Sequence, residues 1–307
     1  MNRYQIQEPL RSGGMANIYI AWDTALQRYV AVKRLKPELL DDPVALAAFH
    51  AEARTLAALR HPHIVEVFDA HLDDHQPYLV MELVDGPTLS QLMPLPPEQA
   101  VDYALQIAAA LAHSHANGVI HCDIKPDNIL IDQAGHVKLL DFGISMVGGQ
   151  ACEGAVLGSP HYIAPERVLG TPLTPAADVY SLGIVLFQMI TGVVPFDGPD
   201  AATIAHMHIT ERVPLMSEVI LSVPLTLERV VAKATAPSAM ARYKDGSALY
   251  AALIESRYEL AGLRPPPVPI EELPISAPER LWQIPTSPIP SMAEQPHGDT
   301  GSYLSAA

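Results

Sequence analysis

Cysteine is scarce in this chain. Two residues in 307, Cys122 and Cys152, form neither a disulfide framework nor a zinc-ligand spacing, a pattern that suits a reducing cytosol. Positive charge is also in short supply. Nineteen Lys and Arg against 34 Asp and Glu leave a net charge of −15. That balance argues against a general nucleic-acid binder or an anionic-membrane binder, so neither partner is expected. Any anionic ligand has to be held by local lysines and backbone N–H groups. Long unbroken apolar runs are missing too. The most apolar stretch, Val179 to Phe196, is interrupted by Ser181, Gln188, Thr191 and Pro195, and predicts a buried helix rather than a membrane span. The opening residues carry no apolar leader core. A soluble, cytoplasmic protein is the expectation.

What is present is enough apolar material, 49% of residues, to bury a large core. Strand-like alternation covers Tyr4–Ile6, Ile18–Ile20 and Tyr29–Lys33. Residues 43–59 are alanine-rich with Leu and Phe at helical spacing. Two more strands are expected near Val65–Phe68 and Tyr78–Glu82, before Asp85-Gly86-Pro87 breaks the pattern. Helical spacing then dominates. Glu98–Asn117 carries Val101, Leu105, Ala108 and Leu111 on one stripe, with Gly118 placed to cap it. Thr174-Pro175 opens a helix running to Thr191. Further helices are expected near 200–209, 225–235 and 246–261. From 265 to 307 there are ten prolines in 43 positions, which predicts a disordered, partly polyproline-II tail.

The chemistry is concentrated in His121-Cys-Asp-Ile-Lys-Pro-Asp-Asn128, followed by Asp141-Phe-Gly143. Residues 129–131 and 137–140 read as strands around a turn at Ala134-Gly135, so a tight hairpin brings the two motifs together. Asp123 can accept a proton from a hydroxyl. Asn128 and Asp141 offer oxygens to Mg²⁺, a hard cation. Lys125 can hold a transferred phosphate against Asp123. Upstream, Leu10-Arg-Ser-Gly-Gly-Met-Ala-Asn-Ile-Tyr19 lies between two strand patterns. Gly13 and Gly14 allow backbone N–H groups close to phosphate, and Lys33 on the next strand can reach the same phosphates.

Together these motifs resemble the eukaryotic-like (Hanks-type) bacterial serine/threonine protein kinases, over about residues 1–262. The resemblance implies an α+β, bilobal protein kinase-like fold. An N-terminal antiparallel sheet lobe with helix C would span about 1–84, and a larger, mostly helical C-terminal lobe about 85–262. Residues 263–307 would be the proline-rich tail. It implies ATP and Mg²⁺ as cofactors, with Mn²⁺ plausible, and protein substrates with Ser or Thr acceptors. It pairs Lys33 with Glu52 and makes Asp123 and Lys125 catalytic. It assigns Ile18 and Ala31 to the roof of the adenine pocket, Leu130 to its floor, Met81 to the gatekeeper position, and Glu82 and Leu83 to hinge hydrogen bonds. Ser159, in Gly158-Ser-Pro-His-Tyr-Ile-Ala-Pro-Glu166, would bridge Asp123 and Lys125. Glu166 would pair with Arg242, and Asp178 would anchor the loop around Asp123. His121 and Phe142 would stack with Leu56 and Val67 as an apolar spine.

Three departures from the family pattern stand out. Arg11 replaces the first glycine of the loop and Ala16 the third. Cys122 stands where many kinases carry an arginine that clamps an activation-loop phosphate. Residues 146–158 contain no Ser, Thr or Tyr. Activity independent of activation-loop phosphorylation is the expectation, with autophosphorylation directed at tail sites such as Ser287. A Cys122–Cys152 disulfide is an alternative regulatory device. A nucleotide-binding pseudokinase acting as a scaffold and a small-molecule kinase are the competing functions. Oligomeric state is not legible.

Overall fold

The computed structural model describes residues 3–72, 76–142, 146–147 and 159–263. The tail from Arg264, Cys152 and the Ser/Thr-free loop therefore lie outside the described residues, apart from Met146 and Val147. The described residues all fall in one compact unit, Met1–Pro266.

Five antiparallel strands form the first layer: β1 Tyr4–Ser12, β2 Ala16–Asp23, β3 Arg28–Leu35, β4 Val67–His71 and β5 Tyr78–Met81, in the order β1-β2-β3-β5-β4. The β2–β3 register opposes Ile18 to Lys33 and Ile20 to Ala31. Ala31 in turn opposes Met81 on β5. Helix α1, Pro43–Ala58, packs on this sheet. Asp42 caps it by accepting from the Val44 N–H, and Pro43 fills the first turn. Its buried face carries Ala45, Phe49, Glu52, Ala53, Thr55 and Leu56. Glu52 thus lies on the apolar stripe, three residues from Phe49 and four from Leu56.

The fourth strand starts later than the sequence suggests. Val65 is not in the sheet; its N–H donates to Leu139 O at 3.1 Å, and Ile64 bridges Leu139 in parallel. Both residues are buried against a hairpin of the second layer, so the segment after α1 joins the two lobes before the sheet resumes at Val67.

The second layer is built on helices α2 Pro97–Ala116, α3 Pro165–Val168, α4 Ala176–Thr191, α5 Ala201–Thr210, α6 Leu225–Ala234 and α7 Gly246–Leu260. Two short strand pairings decorate it. Strand β6, Val119–Ile120, pairs with β9, Met146–Val147, and β7, Ile129–Ile131, pairs with β8, Val137–Leu139. Gly135 turns the β7–β8 hairpin at φ +82°, and Asp132 holds that turn by accepting from the Ala134 and His136 N–H groups. Helix α4 is buried on nearly all sides, which explains its continuous apolar sequence. Among the described residues no helix is long and apolar enough to cross a membrane.

Helices α2 and α7 are in tight contact at Gly246. A Cβ built there would lie 2.4 Å from Ala112 N and 2.8 Å from Ala108 O, both backbone atoms that cannot step aside. Gly246→Ala is expected to force the helices apart and lower stability by ~1–3 kcal/mol, read as a lower urea midpoint with an unchanged slope.

Candidate active site

Lys33 sits on β3 with 9% of its surface exposed, between two carboxylates from different elements. Its Nζ lies 2.5 Å from Glu52 Oε1 on α1 and 2.9 Å from Asp141 Oδ1. Burial works against its charge, but Glu52 and Asp141 outweigh that, so the ammonium is held above its ordinary pKa. Burial raises the Glu52 carboxyl. For Asp141 burial is also the largest influence, yet Lys33, with help from Arg11 and His121, brings the carboxyl below its usual value. Asp141 therefore stays ionised, with φ +56°, a left-handed conformation that Asp tolerates better than most residues.

The loop 121–128 is held from below by α4. Asp178, fully buried, accepts the His121 N–H and the Cys122 N–H, each at 2.8 Å, and is 2.9 Å from His115 Nε2. Cys122 has φ +67°, where a non-glycine residue pays roughly 1–3 kcal/mol in strain. Its peptide is gripped on both sides, because Arg167 from α3 donates to the Cys122 carbonyl. The strained turn aims Asp123. Lys125 Nζ lies 2.6 Å from Asp123 Oδ2, and Asn128 Nδ2 donates to the same oxygen at 2.9 Å and to Asp123 O at 3.0 Å. His121 packs on Phe142 with ring centroids 4.4 Å apart, and its Nε2 is 2.9 Å from Leu140 O. Leu56 and Phe142 share one buried cluster, and Val67 packs against it.

The cleft between sheet and helices has chemistry suited to a nucleoside triphosphate and a divalent cation. Ile18 and Ala31 are on the underside of the sheet, in the same strand rows as Lys33 and Met81. Leu130 lies on β7, bridged to Thr88. Leu83 lines a cleft of about 640 Å³ with Leu10, Ile20 and Val84, and neither Lys33, Asp123 nor Asp141 reaches into its lining. Gly14 faces open space, with nothing within 4 Å of a Cβ placed there. Asn128 turns its nitrogen to Asp123, which leaves its Oδ1 and the Asp141 carboxylate as hard oxygen donors. Two such donors suit Mg²⁺, which keeps waters and substrate oxygens in its shell. Among the described residues there is no group of three or more His, Cys, Asp or Glu able to hold a metal without such help.

The Glu82 N–H donates to Glu66 O at 2.8 Å. The Glu82 side chain is tied to Lys138 on β8 at 2.8 Å. Ser159 lines a small crevice with Asp123 and Arg167, but Lys125 reaches Asp123 directly. A Ser159 bridge between the two is not among the described hydrogen bonds. The Glu166–Arg242 pair forms as expected, bidentate at 2.7 and 2.9 Å and buried, with Arg242 also donating to the carbonyls of Ala176, Ala236 and Pro237.

His115, Arg167 and Lys138 carry no motif signal in the sequence. Each meets a site residue 45 to 63 positions away, a relation that spacing does not encode.

A two-lobed fold with a Lys–Glu–Asp cluster facing an Asp–Lys–Asn loop is that of a protein kinase. The sequence model of the protein kinase domain matches residues 4–243. Serine/threonine-protein kinase PrkC of Bacillus subtilis is 41% identical over 249 residues, 79% of this chain and 38% of that protein. A probable serine/threonine-protein kinase PknB of Lactococcus lactis is 40% identical over 252 residues, 80% of this chain and 40% of its own length. Serine/threonine-protein kinase PknL of Mycobacterium tuberculosis is 38% identical over 267 residues, 85% and 67% of the two chains. The chain belongs to the protein kinase family, in its bacterial Hanks-type serine/threonine branch, and spans about two-fifths of the length of the first two relatives.

The Asp178 carboxyl gives a pH test. Burial pushes it up, but the His115 hydrogen bond, with the electrostatic influence of the two neighbouring imidazoles and the His121 N–H, outweighs that and holds it below its ordinary value. Its folded pKa is depressed, so its stabilisation is full above the unfolded value near pH 4 and is lost as pH falls through the folded value. Asp178→Asn is expected to cost ~3 kcal/mol at pH 7. In urea unfolding at stepped pH, the gap to wild type should narrow below about pH 4.

Proposed function

We propose that this chain transfers the γ-phosphoryl group of ATP to Ser or Thr hydroxyls of protein substrates, with residues 1–262 as the kinase domain. One observation carries the reading: Lys33 is already paired with Glu52 and Asp141 while Asp123 is held by Lys125 and Asn128. Both halves of a phosphoryl-transfer site are assembled together.

The roles follow from the contacts. Lys125 and Asn128 both meet Asp123 Oδ2, so Oδ1 is the oxygen positioned to take the acceptor's proton. As the acceptor oxygen bonds to the γ-phosphorus, the bond to the β-phosphate bridge breaks and ADP leaves. Lys125 neutralises charge on the transferring group, and Lys33 orients the α- and β-phosphates. Asn128 and Asp141 would hold Mg²⁺ or Mn²⁺, whose charge offsets that of the phosphate oxygens. Positioning and charge supply most of the rate, because the protein need form no covalent bond. Ser159 and residues 160–166 position the acceptor peptide, with Glu166–Arg242 as the structural support of that strip.

Cys122 in place of arginine, and a loop without hydroxyl residues, support activity that does not await activation-loop phosphorylation. The Arg167 donor to the Cys122 carbonyl supports the same reading, since it secures the Asp123 loop from α3. The tail is a substrate for autophosphorylation, and the low cysteine content suits a cytoplasmic setting. A pseudokinase scaffold is the second reading, favoured by Arg11, whose side chain crosses the mouth of the cleft.

Purified protein incubated with γ-labelled ATP, Mg²⁺ and a basic protein should transfer label to Ser and Thr. Asp123→Asn should lower kcat by about 10²–10⁴-fold while ATP binding persists. Tight ATP binding by the wild type with no transfer would select the scaffold reading.

A further inference from the structure

Strand β1 contains an irregularity that changes what faces the cleft. Pro9 pairs with Tyr19 and Arg11 with Ile18, so Leu10 is the extra residue of a bulge. In regular register Leu10 would oppose Ile18, and Arg11 would oppose Asn17 on the other face. The bulge instead places Arg11, Ile18 and Lys33 in one row across three adjacent strands, on the same face of the sheet. Lys33 identifies that face as the one over the cleft, through its contacts with Glu52 and Asp141. Two strand spacings separate Arg11 from Lys33, roughly 9–10 Å between Cα atoms. Leu10, displaced from the row, is 50% exposed.

The Arg11 side chain then reaches down to the loop that carries the site. Its Nη1 donates to the Asp127 carbonyl at 2.9 Å, across 116 positions of sequence. Asp127 immediately precedes Asn128. Arg11 also contributes to keeping the Asp141 carboxyl ionised, so its charge is felt at the phosphate end of the cleft. The present partner is a neutral carbonyl. A guanidinium bonds a phosphate more strongly, because both partners are charged and the planar fork matches two phosphate oxygens.

We propose that Arg11 is a second nucleotide-binding cation, which leaves the Asp127 carbonyl for the polyphosphate when a nucleotide enters and so works with Lys33 from the opposite end of the row. The inference rests on the kinase reading and deepens it. The charge compensates for the hinge glycine that this position gives up, and it accounts for a bulge that brings a cation into the row of Ile18 and Lys33.

Direct binding tests it. Wild type, Arg11→Met, Arg11→Lys and Arg11→Gly are titrated calorimetrically with ATP, ADP and adenosine in the presence of Mg²⁺. Arg11 is half-buried on β1, so melting temperatures of all four proteins are measured alongside to control for the fold. Arg11→Met and Arg11→Gly should weaken ATP and ADP about tenfold, leave adenosine within about twofold, and flatten the salt dependence of ATP binding, while Arg11→Lys recovers part of the loss. Equal or tighter binding of ATP and adenosine by Arg11→Met would overturn the proposal and make Arg11 a strap that competes with the nucleotide. Loss of ATP and adenosine affinity in the same proportion would overturn it too. If those results came with label transfer intact in wild type, the kinase reading would stand without it. Failure of wild type to bind ATP at all would overturn both.

Discussion

The Lys33 ammonium is the point on which the two layers depend. It is nearly buried and survives as a charge only because Glu52 and Asp141 flank it. Those carboxylates come from α1 and from the segment after β8, so one cation fixes a helix, a sheet and a loop in a single arrangement. Removing it would leave two acids in low-dielectric surroundings, a larger cost than the loss of one contact. The same cluster keeps Asp141 ionised and turned towards the cleft, so the arrangement that holds the lobes also prepares an oxygen donor for a cation.

The second anchor is Asp178. Its carboxylate takes N–H groups from His121 and Cys122, and this permits the left-handed turn that aims Asp123. Strain at Cys122 persists because the surroundings over-determine it: Asp178 holds one side of the residue and Arg167 the other. The described supports of this loop come from α3 and α4.

Arg11 shows how a small backbone irregularity changes chemistry. One extra residue in β1 flips the side-chain alternation, and a cation faces the cleft where regular pairing would have put a leucine. The identity of the residue is visible in the sequence. Its direction is not, because a bulge depends on pairing with β2 and leaves no compositional mark.

Much of the fold could be read from periodicity. The long helices α2, α4 and α7 and the hairpin around Gly135 lie where apolar spacing and turn residues place them, since these signals are local. Lys33, Glu52, Asp123, Asn128 and Asp141 were legible because their motifs are compact and chemically distinctive. The start of β4 was misplaced because Ile64 and Val65 are as apolar as strand residues but are buried against β8, and apolar character does not name its partner. The sequence by itself determined which groups are available: lysines, carboxylates and an amide in compact motifs, few cysteines and an excess of acid. Only the tertiary structure decided which of them meet. The Lys138–Glu82 ion pair, the His115–Asp178 contact and the reach of Arg11 to Asp127 join residues 56 to 116 positions apart. Such contacts depend on how whole layers pack, and local sequence patterns carry no record of that packing.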